Sequence, residues 1–201
     1  MLDYMRCLHE GNSLRACANE VGICLKTSFE WRHKILAAIR ALEGGISFSG
    51  IVEADELLMK YSEKGRKFKN KEEYRKAKNK KHPKVAVLVV TDRESNLLFK
   101  QVGEKKVKNE QLREELKNRL SENNLICVKP KKEFRKGVKG LQSKKVIVNK
   151  RQLKRGIYNV KIVESKISDF KTWLIRFHGV ATKYLQSYLM WFVVMIKYLK
   201  A

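Results

Sequence analysis

The chain has 201 residues, and its 45 lysines and arginines outnumber 21 acids to leave a formal net charge of +24 and a pI near 10. An imbalance of that size repels itself unless a polyanion neutralises it, so nucleic acid is the expected partner. With 43% apolar residues, a disordered basic tail is excluded, and the length suits one well-packed core with a small appendage.

Cys7, Cys17, Cys24 and Cys127 form no C-x-x-C pair and have no histidine at ligand spacing. They therefore predict no zinc site and read as small buried residues of a reducing cytoplasm. Residues 1–10 carry Asp3, Arg6 and Glu10 and so lack the apolar core of a secretory signal. The apolar, aromatic run at 184–199 is interrupted by Gln186, Ser187 and Lys197. It falls short of the roughly 20 residues a bilayer requires, so it predicts a buried or docking helix and no membrane partner.

In chain order, residues 14–21 and 26–40 form two helical runs around Gly22, with Ala18 small enough for close helix approach. This spacing predicts a helix-turn-helix in a first segment, 1–45. Its second helix would enter a major groove by its N-terminal end, presenting Lys26, Thr27 and Ser28, with Arg32 and His33 one turn later. Glu43-Gly44-Gly45 marks the boundary to a second segment, 46–201.

That segment opens on Ser49-Gly50-Ile51-Val52-Glu53-Ala54-Asp55-Glu56, read as a short buried strand with Asp55 at its end, where an acid demands a cationic partner. A basic tract follows at 60–84, read as a solvated loop with an exposed helix in its middle, placed to grip a phosphate backbone. Residues 85–91 and 97–102 predict a β-hairpin, 109–121 an amphipathic helix, and 125–128 a strand ending at Lys129-Pro130. A strand at 145–149, a basic turn at 150–155 and a β-like run at 156–160 come next. From Ile162 the pattern is helical to Phe177, breaks at His178-Gly179, and resumes over 182–198. Glu164 and Lys171 lie seven residues apart, two helical turns, and so share a face. A strand-borne Asp with a helix-borne Glu and Lys are parts of a divalent-metal nuclease site. The order strand, hairpin, helix, strand, strand, helix is that of an α/β, ribonuclease-H-like mixed sheet with flanking helices, its first and fourth strands adjacent and its site at the strand ends.

The runs G-I-V-E-A-D-E (50–56), K-T-S-F-E-W-R-H-K-I-L (26–36) and W-L-I-R-F-H-G-V-A-T-K-Y-L-Q-S-Y-L (173–189) resemble insertion-sequence transposases of the DDE superfamily, ISXO-like group. The resemblance implies a domain that cuts and rejoins DNA through two magnesium ions, held by two aspartates and a Glu or Asn, with a following lysine. Asp55 matches the first acid, Glu164 the third and Lys171 the lysine. In an active enzyme, Asp55 and Glu164 would hold magnesium while water or a 3′ hydroxyl attacks the phosphodiester, with Lys171 contacting the DNA.

The second aspartate is replaced. Where the family has a segment like C-S-D-G, this chain has Cys127-Val128-Lys129-Pro130. Two divalent ions about 4 Å apart need bridging carboxylate, and an ammonium adds to their repulsion. Lys129 is instead expected to pair with Asp55. Asp92 is expected near the start of the first strand, too far away to substitute, and Glu133 lies beyond Pro130. The family's N-terminal zinc ribbon is not seen.

The reading is a degenerate insertion-sequence protein, prokaryotic and cytoplasmic or nucleoid-associated. It binds double-stranded element ends, as a dimer or higher assembly by resemblance, and is impaired in strand cleavage and transfer. The alternatives are an active magnesium-dependent transposase, a non-catalytic DNA-binding regulator of the element, and an RNA-binding or membrane-associated basic protein.

Overall fold

A computed structural model describes residues 1–79, 83–149, 151 and 154–198; parts of the basic tract at 60–84 and of the turn at 150–155, and the end of the apolar run at 184–199, lie outside the described residues. Three helices open the chain: α1 (Leu2–His9), α2 (Leu14–Val21) and α3 (Leu25–Arg40). The Ser13 side chain accepts the Ala16 N–H and starts α2, and Gly22 in the left-handed region, at φ 68°, ends it. Helix α1 has no sequence-level start signal, because Met1 gives it no side-chain cap, yet it buries Tyr4, Cys7 and Leu8.

The apolar runs that follow assemble one five-stranded sheet. Its strands are β1 (Ile51–Met59), β2 (Val85–Asp92), β3 (Leu97–Glu104), β4 (Leu125–Val128) and β5 (Lys144–Ile147), in the spatial order β3-β2-β1-β4-β5. β1 runs antiparallel to β2 and parallel to β4, and β4 runs parallel to β5. This is the ribonuclease-H-like topology, with β1 and β4 side by side. β2 is buried along its whole length, as a strand covered on both faces must be. β1 is longer than its apolar start implies: Asp55 falls at its centre, and the strand continues to Met59 along β2.

Helices α4 (Lys71–Asn79), α5 (Asn109–Lys117), α6 (Lys132–Lys139), α7 (Lys161–Ile175) and α8 (Leu185–Tyr198) complete the fold, with a small hairpin of β6 (Lys154–Arg155) and β7 (Tyr158–Asn159). Helix α6 is not legible in the sequence, where lysines and Gly137 hide the i, i+4 pair Phe134 and Val138 that it buries. α7 and α8 pack on the sheet through Phe99, whose ring lies 5.1 Å from Phe170 and 5.6 Å from Phe192. Among the described residues no helix is long and apolar enough to cross a membrane.

The core is continuous from Tyr4 and Leu36 of the opening helices through the strands to Trp191 and Met195 of α8. The Glu43-Gly44-Gly45 stretch, read as a boundary, is tied into this core. The Glu43 carboxylate pairs with Lys100 of β3 and accepts from the Gln186 Nε2 at 2.9 Å, while Arg119 donates to the Glu43 and Ile46 carbonyls. Gln186 also donates to the Phe99 carbonyl at 3.1 Å and accepts the Gln101 N–H at 2.7 Å. The polar residue that breaks the C-terminal apolar run is thus a buried bridge between α8, β3 and Glu43. Gln186→Leu leaves the Phe99 carbonyl and the Gln101 N–H without this partner and the Glu43 carboxylate with Lys100 alone among the described residues, and a loss of about 1–3 kcal/mol is expected in urea unfolding; unchanged stability would show that the bridge contributes nothing.

Candidate active site

The β1–β4 register places the site. Parallel pairing runs from Ile51 opposite Leu125 to Ala54 opposite Val128, so the next residues along, Asp55 and Lys129, emerge side by side where β4 stops. The Lys129 ammonium lies 2.6 Å from Asp55 Oδ2 and 2.6 Å from Glu164 Oε1 of α7. A second ammonium, from Lys131, sits 3.3 Å from Asp55 Oδ1 and 2.8 Å from Glu56 Oε1. Glu56 Oε2 in turn accepts the Val107 N–H at 3.1 Å. Asp55 is almost fully buried, with its side chain 5% exposed, against 19% for Lys129. Burial lowers the affinity of the Lys129 amine for its proton, but the hydrogen bonds and charges of Asp55 and Glu164 outweigh it and hold the group above the ordinary lysine value. These residues and Lys171 line one open cleft of about 470 Å³.

Residues 47–194 match the family of the ISXO2-like transposase domain. The chain belongs to that family. It also resembles a chain in the crystal structure of a pre-cleavage Mos1 transpososome, at 10% identity over 93% of this chain and 72% of that one, with a TM-score of 0.35, a superposition too loose to carry functional inference. No curated protein matches the chain significantly.

As an ISXO2-like transposase domain, the protein should present a carboxylate nest for divalent cations, and the donor set does not fit one. Lys129 occupies the space between Asp55 and Glu164, and among the described residues no three His, Cys, Asp or Glu side chains converge as metal ligands. Neither spare acid is available. Asp92 lies opposite Val52, roughly 10 Å along the strand from Asp55. Its carboxylate is engaged by the N–H groups of Ser49, Glu94 and Asn96 and the Asn96 side chain, which together close the β2–β3 turn. Glu133 pairs with Lys106, whose hydrogen bond and charge hold its carboxyl below the usual range.

Sequence reading of the transposase domain missed Glu53, Glu56 and Lys131. Glu53 is fully buried and stands two residues before Asp55, on the same side of β1. One of its oxygens, Oε2, accepts the Ile162 and Val163 N–H groups at 2.9 and 3.1 Å, satisfying the open N-terminus of α7. It thereby fixes the helix that delivers Glu164. An acid inside an apolar strand run was the available signal. Lys131 had none, since it reads as one lysine among many.

The opening helices depart from the expected groove reader. Ser28, Arg32 and Leu36 follow one another at i, i+4 and are all buried. The Ser28 hydroxyl donates to the Leu14 carbonyl at 2.9 Å and contacts the Tyr4 hydroxyl at 2.9 Å. Arg32 donates to the Asn12 carbonyl at 2.7 Å, and its guanidinium packs 5.2 Å from the Trp191 ring centre and 5.8 Å from that of Phe177. Neither is offered to solvent: Ser28 is closed in by Tyr4 of α1 and Leu14 of α2, and Arg32 by Asn12, Phe177 and Trp191 of α8. His33 stacks with Tyr184 at 4.0 Å and Phe29 at 4.3 Å, and burial lowers its proton affinity. Lys26 is exposed and Thr27 half-buried at the start of α3. Of the cysteines, Cys7, Cys17 and Cys127 are buried but Cys24 is exposed, contrary to the uniform burial expected. Cys24 serves at the N-terminus of α3, where bonds from Thr27 lower its thiol pKa.

Burial raises the Glu53 carboxyl above its ordinary value despite the two N–H bonds that oppose it. A raised folded-state value means the native state binds the proton more tightly than the unfolded chain. Glu53 therefore adds most stability below its unfolded value and loses it as pH rises through the folded one. Glu53→Gln keeps an acceptor for α7 without a charge, so its stability relative to wild type should increase from pH 4 to pH 8. Each tenfold gain in proton affinity on folding is worth about 1.4 kcal/mol of that increase. A pH-independent difference in denaturant midpoints would show that Glu53 does not titrate on folding.

Proposed function

We propose that the protein is a DNA-binding member of the transposase family impaired in DNA strand cleavage and joining. The observation that carries this reading is the Lys129 ammonium, 2.6 Å from both Asp55 and Glu164. It consumes the two carboxylates that would otherwise be free to take a divalent cation, and it places a positive charge where such a cation would have to sit. Among the described residues, Lys131 adds a second cation to Asp55, so the cleft is electrostatically satisfied by the chain's own side chains.

The partner in this reading is double-stranded DNA, supported by the net charge of +24 and by exposed cations on several elements, among them Lys26 of α3 and Lys71, Arg75 and Lys76 of α4. A cleft lined by Lys129, Lys131 and Lys171 as well as three acids does not need a metal ion to offset carboxylate repulsion before a phosphate backbone can approach. Duplex binding should therefore be at least as tight in EDTA as in magnesium, which competes for the phosphates, and should weaken steeply with added salt. A fluorescence-anisotropy titration in which binding appears only with magnesium, or barely responds to salt, would contradict the reading.

The lesion itself is testable. Wild-type protein should neither nick supercoiled plasmid in magnesium nor melt at a different temperature when magnesium is added. Lys129→Asp leaves three carboxylates converging, at a cost of about 3–5 kcal/mol in stability without divalent ions, and magnesium should recover that loss as a rise in Tm. Nicking by the wild type, abolished in Asp55→Ala, would instead establish an active enzyme.

A further inference from the structure

We propose that the exposed face of α6 is a track for the phosphate backbone of duplex DNA, continuing from the Lys129 cleft; this rests on the DNA-binding reading above. The helix begins directly after Lys131, which lines the cleft. Its exposed residues include Lys132, Arg135, Lys136 and Lys139, which at 100° per residue fall within a sector of about 100° and span about 10 Å of helix. Duplex DNA carries roughly six phosphates over that length.

The direction of this face is fixed by what lies behind it. Phe134, Gly137 and Val138 are buried, and α6 lies so close to α5 that a Cβ on Gly137 would come within 2.8 Å of the Leu112 side chain and 3.2 Å of the Asn109 carbonyl. The helix cannot roll about its axis to hide its cations. Glu133, its one acid, is occupied by Lys106, whereas none of the four basic residues forms an ion pair within 4.0 Å among the described residues. Arg113 of α5 lies against Gly140 at the far end and lengthens the cationic edge. A face of four unpaired cations and no free acid, rigidly held beside a cleft, is complementary to a polyphosphate backbone, which takes most of the hydrogen bonds that proteins make to DNA.

The test compares three forms of the full chain by anisotropy with a labelled duplex of arbitrary sequence across a KCl series. These are the wild type, a variant with Lys132, Arg135, Lys136 and Lys139 all changed to Gln, and a variant in which Arg6, Arg40, Lys117 and Lys166, dispersed over four other helices, are changed to Gln. Each phosphate contact contributes about 0.9 to the slope of log K against log salt, so the α6 variant should lose roughly 3 to 4 in slope and the dispersed variant less than about 1. Single changes such as Lys136→Gln should each remove about 0.9, which keeps the test independent of how well the fourfold variant folds. Equal losses in both fourfold variants, or an unchanged slope in the α6 variant, overturn the track while leaving DNA binding intact. A wild type that fails to bind duplex overturns the DNA-binding reading and the track with it.

Discussion

One ammonium shared by two carboxylates governs what this cleft can do. Asp55 is nearly buried and, left alone, would carry a large desolvation cost. Lys129, delivered by the end of β4, satisfies it and reaches Glu164 of α7 with the same nitrogen. Strand β1, strand β4 and helix α7 are thus joined by a cation that belongs to the chain. The charge a divalent ion would bring is already present, and the geometry it would occupy is taken.

The rest of the fold keeps those three elements in register. Parallel pairing of β1 with β4 ends at Ala54 and Val128, which brings residues 55 and 129 to the same level. Glu53, two residues earlier, holds the start of α7 through two backbone N–H groups, so the position of Glu164 depends on a carboxylate that never reaches the cleft. On the far side of the sheet order, Glu43 and Gln186 tie the segment before β1 to β3 and α8. The site is therefore supported by acids and amides buried for structural reasons, next to acids and amines placed at its surface.

The opening helices illustrate how a basic, amphipathic pattern can mislead. Ser28 and Arg32 look like groove-facing residues because both are polar and one is charged, yet they share a buried helical face with Leu36, closed over Ser28 by α1 and α2 and over Arg32 by α8. Arg32 is accommodated there by aromatic faces and a carbonyl, with its aliphatic stem in the core. Conversely α6, with lysine or arginine at half of its positions, has the composition of a loop and is a packed helix whose cations all point outward.

The local pattern of residues was enough to locate the five strands of the main sheet, because alternating or continuous apolar runs bounded by turn residues have few other solutions, but not the extension of β1 past Asp55 or the hairpin of β6 and β7. The strand order predicted the adjacency of Asp55 and residue 129, and the register that realises it is pinned by the residues of both strands that must face the core. What only the tertiary structure decided was how the polar side chains were shared out: Glu53 to a helix N-terminus, Asp92 to a turn, Glu133 to Lys106, Lys131 to the cleft, Arg32 to the core. Period and spacing specify which face a residue is on, but charge partners are chosen between elements distant in sequence, and that choice exists only once the chain has folded.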